Sequence, residues 1–187
     1  MGSGKSMVCR IFSVLGVPVY DADSRAKSIM TTDGILVSQI KKEFGALSYY
    51  ADGSLNREHL AEAFKDSKKL GVLNNLIHPR VAHDYVQWMQ EQKSQYVLKE
   101  AALLFEAKSN LSLDKIIVVY APEAVRIKRV LQRDAHRNPK QVEEIMRNQM
   151  ADDKKMKLAD YVIYNDESRL VTTQVLDLHA KFSTGKL

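Results

Sequence analysis

Gly2-Ser3-Gly4-Lys5-Ser6 brings together the residue types that a phosphate chain requires. Glycine lets main-chain N–H groups approach an anion with no Cβ in the way. A helix beginning at Lys5 turns the positive end of its dipole on the same anion. In that arrangement Lys5 reaches the β- and γ-phosphates and the Ser6 hydroxyl suits Mg²⁺. Five residues of this kind also occur in flexible leaders, but the helix and strand expected next argue against that reading. The full pattern is G-x-x-x-x-G-K-[ST] after a buried strand. The residues here begin inside it, so a native segment of about ten residues, carrying that strand and the first glycine, is expected ahead of Met1.

Asp21 and Asp23 form the second candidate pair. In an extended stretch, residues i and i+2 share a face, and both would project past the carboxyl end of a strand, where open α/β sheets bind ligands. A carboxylate there can orient and deprotonate a hydroxyl, or hold a metal through water. The same Asp-Ala-Asp-Ser run also makes a good helix cap. Further along, Arg126, Arg129, Arg133 and Arg137 are spaced by three and four, so one helix face can present several cations to a phosphoryl group; the alternative is an exposed basic helix. His78 precedes Pro79 at an expected helix start and reads as structural rather than catalytic. Glu106 either closes a pocket or caps a loop. Five scattered histidines and the single Cys9 offer no metal cluster.

These residues need elements to hold them. Val8, Ile11, Phe12 and Leu15 have helical spacing, and Gly16 closes that helix. Val17 to Tyr20 reads as a short buried strand. A helix is expected from Ser24 to about Lys42, weakened at Gly34, and Asp52-Gly53 marks a turn. Asn56 caps a helix with an apolar stripe of Leu60, Ala63 and Phe64. Another helix is expected to begin at Pro79, with Trp88 packing beside Tyr85. Tyr96 to Leu104 is a second apolar run. Lys115 to Tyr120 is the clearest buried strand, stopped by Pro122 and followed by a long polar helix from about Glu123 to Lys157. Tyr161 to Tyr164 is a last strand, and a terminal helix starts near Ser168. Strands separated by helices predict an α/β fold with a mainly parallel sheet.

The bulk properties agree with a small enzyme core. The 187 residues are 45% apolar, enough to bury one substantial core. No apolar run is long enough to cross a bilayer. With no signal segment and one cysteine, a cytoplasmic location is expected. A net charge of +5 points to an anionic partner. There is no recognised nucleic-acid fold and no aromatic–basic interleaving, so nucleic acid is not expected to be that partner.

The motif series resembles the dephospho-coenzyme A kinase family, enzymes of the last step of coenzyme A synthesis. After Gly-Ser-Gly-Lys-Ser comes Leu15-Gly16-x-Pro18-Val19-x-Asp21-Ala22-Asp23. Leu76-Ile77-His78-Pro79, Leu103-Leu104-Phe105-Glu106, Arg129 with Arg133-Asp134, Gln149 and Ala159-Asp160-Tyr161-Val162-Ile163-x-Asn165 follow in the family's order.

The resemblance implies a P-loop NTPase-like three-layer α/β fold with a helical acceptor-binding insertion and a helical lid. The core would span 1–23, 94–122 and 156–187, the acceptor domain 24–93 and the lid 123–155. It implies transfer of the γ-phosphoryl group of ATP, with Mg²⁺, to the ribose 3′-hydroxyl of dephospho-coenzyme A. Asp23 would be the general base, with Lys5 and Arg133 serving the transferred group. Gly2, Ser3, Gly4, Lys5, Ser6 and Met7 would hold the nucleotide with Arg137 and, near the adenine, Asn165. Asp21, His78, Leu104, Phe105 and Glu106 would contact the acceptor, and Ser6 the metal. The pattern departs at Met7, where the family usually has threonine; Met7 still offers its backbone N–H. A monomer or weak homo-oligomer without a membrane partner is expected. The competing readings are another small-molecule P-loop kinase, acting on a nucleotide or nucleoside, or a catalytically impaired anion-binding module.

Overall fold

The computed structural model describes residues 1–134 and 136–185, apart from the side chains of 62–65 and 67. The chain divides into two compact units, one built from Met1–Val19 with the chain from Ser94 onward, the other from Tyr20–Lys93. No helix among the described residues is long and apolar enough to cross a membrane.

The first unit is built around α1, Lys5–Val14. Its stripe of Val8 and Phe12 is buried because spacing by four puts both on one face. These two join Val17, Ile163, Val175, Leu178 and Phe182 in a single apolar core. Full burial of a side chain such as Phe12 contributes roughly 2–3 kcal/mol. Gly16, at φ 85°, takes the left-handed turn that releases the chain from α1. Strand β1 (Val19–Asp21) begins at the edge of this unit, where the N–H of Leu98 donates to the carbonyl of Pro18 at 2.9 Å. Leu98 opens β2 (Leu98–Glu100), the partner of β1.

Strands β3 (Ile117–Tyr120) and β4 (Tyr161–Tyr164) pair in parallel, with Ile117 opposite Tyr161 and Tyr120 opposite Tyr164. The expected single sheet is therefore present as two separate pairs, β1–β2 and β3–β4. Strand β3, expected as the clearest buried strand, is only half-buried. It borders a cavity of about 70 Å³ lined by Ile117 to Val119, with Ile116 ahead of the strand and Ala101 and Ala102 beyond β2.

The long polar helix expected after Pro122 is three helices: α6 (Glu123–Arg133), α7 (Pro139–Arg147) and α8 (Asp152–Leu158). Asn138 breaks the run by forming a reciprocal cap with Gln141, and Pro139 fits the first turn of α7. Val130, Val142 and Met146 close the apolar contact between α6 and α7. The terminal helix, α9 (Val171–Ser183), packs back on the first core through Val175, Leu178 and Phe182.

The second unit is helical. The expected helix from Ser24 to Lys42 is divided into α2 (Ala22–Thr32) and α3 (Gly34–Phe44). Asp33 ends the first and caps the second, accepting from the N–H of Ile35 and Leu36. Asn56 caps α4 (Arg57–Lys65) by accepting from the N–H of His59. Leu60 of its expected stripe is buried, whereas the side chains of Ala63 and Phe64 lie outside the described residues.

Helix α5 runs from Ser67 to Gln90 with Pro79 inside it, so the helix does not begin at Pro79. Its start is set instead by Asp66, which accepts from the N–H of Lys68 and Lys69. Tyr20 packs against Tyr85 and Trp88 of α5 at centroid separations of 5.0 and 5.3 Å. The unit closes over Ile29, Met30, Leu36, Ile40, Leu60 and Leu73.

Candidate phosphate-loop site

Two glycines carry the loop ahead of α1 in conformations that disfavour side chains, Gly2 at φ 75° and Gly4 at φ 95°. A Cβ on Gly4 would stand 2.3 Å from the amide nitrogen of Asn165, and one on Gly2 would stand 2.7 Å from the carbonyl oxygen of Arg126. The loop is thus pressed between α6 and the end of β4, with no space for larger residues. Ser3 between them is buried, and its carbonyl accepts from the Asn165 amide at 2.8 Å.

The first N–H groups of α1 have no partner within the helix. With the helix dipole behind them, they make an anion cradle. Lys5 is half-buried at the helix start, while Ser6 and Met7 are exposed. The Met7 N–H turns back to the Gly4 carbonyl at 3.1 Å. The Ser6 hydroxyl donates to Glu100 at 2.7 Å. A hydroxyl beside a carboxylate is a fitting oxygen donor set for Mg²⁺.

Lys5 shares a cavity with Ser3, Leu104, Phe105, Arg126 and Lys155. Arg126 is buried and pairs with Asp152 at 2.6 Å, yet its buried Nε has no hydrogen-bond partner among the described residues. The positive field here is felt by the Met1 amine, which donates to Gln149 at 3.0 Å. Burial first, then Lys5, Arg126 and Lys155, push its pKa down to about 5. An unpaired cationic nitrogen, a lysine and a Cβ-free loop fit a polyphosphate.

Glu106 lies at the rim of this group, accepting from the Met150 N–H at 2.7 Å and pairing with Lys155 at 3.3 Å. Burial alone would raise its pKa, but the Met150 N–H and Lys155 outweigh that and hold it below the ordinary carboxylate value. Glu106 thus tethers the start of α8 to the segment after β2. Arg129 donates to the Asn165 carbonyl at 3.1 Å. Arg133 forms two hydrogen bonds to its neighbour Asp134, and Arg137 lies 3.5 Å from the same carboxylate.

In the second unit Asp21 caps α2. It accepts from the N–H groups of Asp23 and Ser24 and from the Ser24 hydroxyl. Burial pulls its pKa upward, but these three donors prevail and keep the carboxyl below its usual range. The cap reading of the Asp-Ala-Asp-Ser run therefore describes Asp21, and through it fixes the backbone of exposed Asp23. His78 lies exposed along α5.

Gly2 to Ser6, Leu104, Phe105, Glu106 and Asn165 are thus gathered in the first unit, and Asp21, Asp23 and His78 belong to the second. Two residues escaped the sequence reading as site members. Glu100 carried a usable signal, an acid closing an apolar run just as Asp21 does. Arg126 was one of four evenly spaced arginines, and nothing in the spacing marks it as the buried one.

The family model for dephospho-CoA kinase matches residues 1–170. The chain is 34% identical over 182 residues to a dephospho-CoA kinase of Bacteroides fragilis, covering 96% of this chain and 88% of that protein. It is 38% identical over 177 residues to a dephospho-CoA kinase of Chlorobium chlorochromatii, covering 89% and 82%. Among solved structures, TT1252 from Thermus thermophilus superposes with a TM-score of 0.82 at 28% identity, covering all of this chain and 93% of the other.

Proposed function

Since the chain belongs to the dephospho-CoA kinase family, we propose that it phosphorylates the ribose 3′-hydroxyl of dephospho-coenzyme A with ATP, in the last step of coenzyme A synthesis. The observation that carries this reading is the Cβ-free loop at the start of α1, closed by Asn165 and the Arg126 backbone, with Lys5 and Arg126, whose Nε has no hydrogen-bond partner among the described residues, lining one cavity.

In the proposed reaction the bond between the γ-phosphorus and the β–γ bridging oxygen breaks, and a bond from the ribose 3′-oxygen to that phosphorus forms. ADP leaves with the bridging electron pair. Asp23 accepts the hydroxyl proton. The N–H groups at the start of α1 and Lys5 hold the phosphates, and Arg133, with Arg137, supplies positive charge as the transition state spreads its own. Ser6 and Glu100 would hold Mg²⁺, which neutralises phosphate charge when bound. Leu104 and Phe105 offer apolar surface to the acceptor. Asp21 acts by capping α2 and so fixing Asp23. The expected setting is the cytoplasm.

The test is ADP release from ATP and Mg²⁺ with dephospho-coenzyme A, run beside nucleoside monophosphates, with the product identified by mass. Coenzyme A formation supports the proposal. Turnover of a nucleoside monophosphate alone overturns it in favour of a nucleotide kinase, and binding of ATP without turnover of any acceptor reduces the chain to an anion-binding module.

A further inference from the structure

Asn165 follows β4 and is hydrogen-bonded through its N–H, its carbonyl and its side chain. Its N–H donates to the Tyr120 carbonyl at 2.7 Å, which continues the β3–β4 ladder by one residue. Its own carbonyl accepts from Arg129 of α6 at 3.1 Å. Its side-chain nitrogen donates to the Ser3 carbonyl at 2.8 Å. The side chain is buried, so its amide has little freedom to turn elsewhere.

We propose that Asn165 is a positioning residue for the phosphate loop, setting the direction in which the loop presents its N–H groups. The peptide joining Ser3 to Gly4 is trans, as are the others among the described residues. In a trans peptide the C=O and the N–H point in opposite directions. A Ser3 carbonyl held toward Asn165 therefore turns the Gly4 N–H away from the Asn165 amide. Gly4 is the residue that makes this possible. Any side chain there would collide with the Asn165 amide, so the amide contact depends on glycine at this position.

Two anchors keep Asn165 in place, the ladder bond to Tyr120 and the Arg129 guanidinium. The sheet and α6 thus act on the loop through one side chain. This role differs from an adenine contact, because it concerns the phosphates alone. It rests on the loop binding polyphosphate but not on the identity of the acceptor.

The deciding experiment uses Asn165→Ala and two ligands that differ in the base. Equilibrium dissociation constants are measured for a fluorescent ATP analogue and, by competition, for inorganic tripolyphosphate. Loss of one buried hydrogen bond should weaken both by ~10-fold. KM for dephospho-coenzyme A should stay within about twofold of the parent, because the lost bond is made to the loop and not to the acceptor. Weakening of the ATP analogue alone would identify a base contact and overturn the proposal. Unchanged binding of both, or weakening that only follows a loss of folded protein, would overturn it as well. Should Asn165→Ala fail to fold, Asn165→Ser retains a small polar group that is too short to reach Ser3 and carries the same expectation. If the parent binds both ligands but does not phosphorylate dephospho-coenzyme A, the functional reading fails while the two binding constants still decide the role of Asn165.

Discussion

The Ser6 hydroxyl donates to the Glu100 carboxylate across 2.7 Å, which ties the first turn of α1 to the end of β2. A hydroxyl so held has its lone pairs oriented before any cation arrives. Glu100→Ala is therefore expected to raise the Mg²⁺ concentration needed for half-maximal rate by ~10–100-fold, the usual cost of losing a supporting partner at a metal site. The bond is exposed, so stability should change little. Rates measured across a Mg²⁺ titration, with thermal melts alongside, check this. An unshifted Mg²⁺ curve would leave Glu100 with no part in the site.

Arg126 and Arg133, two of the four arginines spaced by three and four, separate into different roles once burial is considered. Arg133 is 65% exposed at its side chain and, among the described residues, pairs with its neighbour Asp134, whereas Arg126 is 9% exposed and paired with Asp152. Arg133→Ala should move stability by no more than about 0.5 kcal/mol. If Arg133 carries transition-state charge, the same change lowers turnover by ~100-fold or more. Arg126→Ala should instead cost about 2 kcal/mol of stability, since it strands a partly exposed Asp152 and leaves the space of a buried side chain unfilled. Melting temperatures and turnover for the two variants separate these outcomes. Unchanged turnover in Arg133→Ala would pass the cationic role to Arg126.

Local chemistry explains which parts of this fold could be read from the sequence. The tight loop ahead of α1 was legible because its glycines must be glycines, and α1 because Val8 and Phe12 repeat with the helical period. The cap at Asn56 and the turn at Gly53 were legible for similar reasons, each depending on a few adjacent residues. Breaks made by side chains were harder to see. Asp33 reads as one more polar residue in a helical run until its carboxylate is found capping α3, and Pro79 reads as a helix start although Asp66 had already nucleated α5. Burial was the least legible property, because it depends on neighbours distant in sequence. Arg126 and Arg133 are indistinguishable by spacing, and the apolar Ile117 to Tyr120 is no guide to the cavity beside it.

Asp33 joins two jobs in one side chain, and its removal should be felt accordingly. One oxygen caps α3 and the other accepts from Arg80 of α5 at 2.6 Å. Asp33→Ala is expected to destabilise the protein by about 2 kcal/mol, the sum of a lost cap and a partly exposed ion pair. Asp33→Asn keeps the cap oxygen and loses the charge, so it should recover roughly half of that. Denaturant unfolding of both variants measures the two parts. Equal losses in both would mean that the cap contributes nothing.

The acid limit of stability should depend on Asp84. The hydrogen bonds from Arg25 are the largest cause of its lowered pKa; burial opposes them, and the Tyr20 hydroxyl adds to them. In the unfolded chain this carboxyl titrates near ~4. Because the folded pKa lies below the unfolded one, the unfolded state binds the proton first as pH falls. The contribution of Asp84 is therefore fully present above the unfolded pKa and is lost as pH drops through the folded value. Arg25 is 45% exposed, so solvent screens the pair and the contribution is only about 1 kcal/mol. Melting curves from neutral pH to pH ~3 should show a smaller acid-induced fall for Asp84→Asn than for the parent, from a lower starting point at neutral pH. The burial of Tyr20 against Tyr85 and Trp88 should keep the second unit folded in that variant. Parallel acid profiles for parent and variant would show that Asp84 titrates alike in both states and that the Arg25 pair contributes nothing to folding.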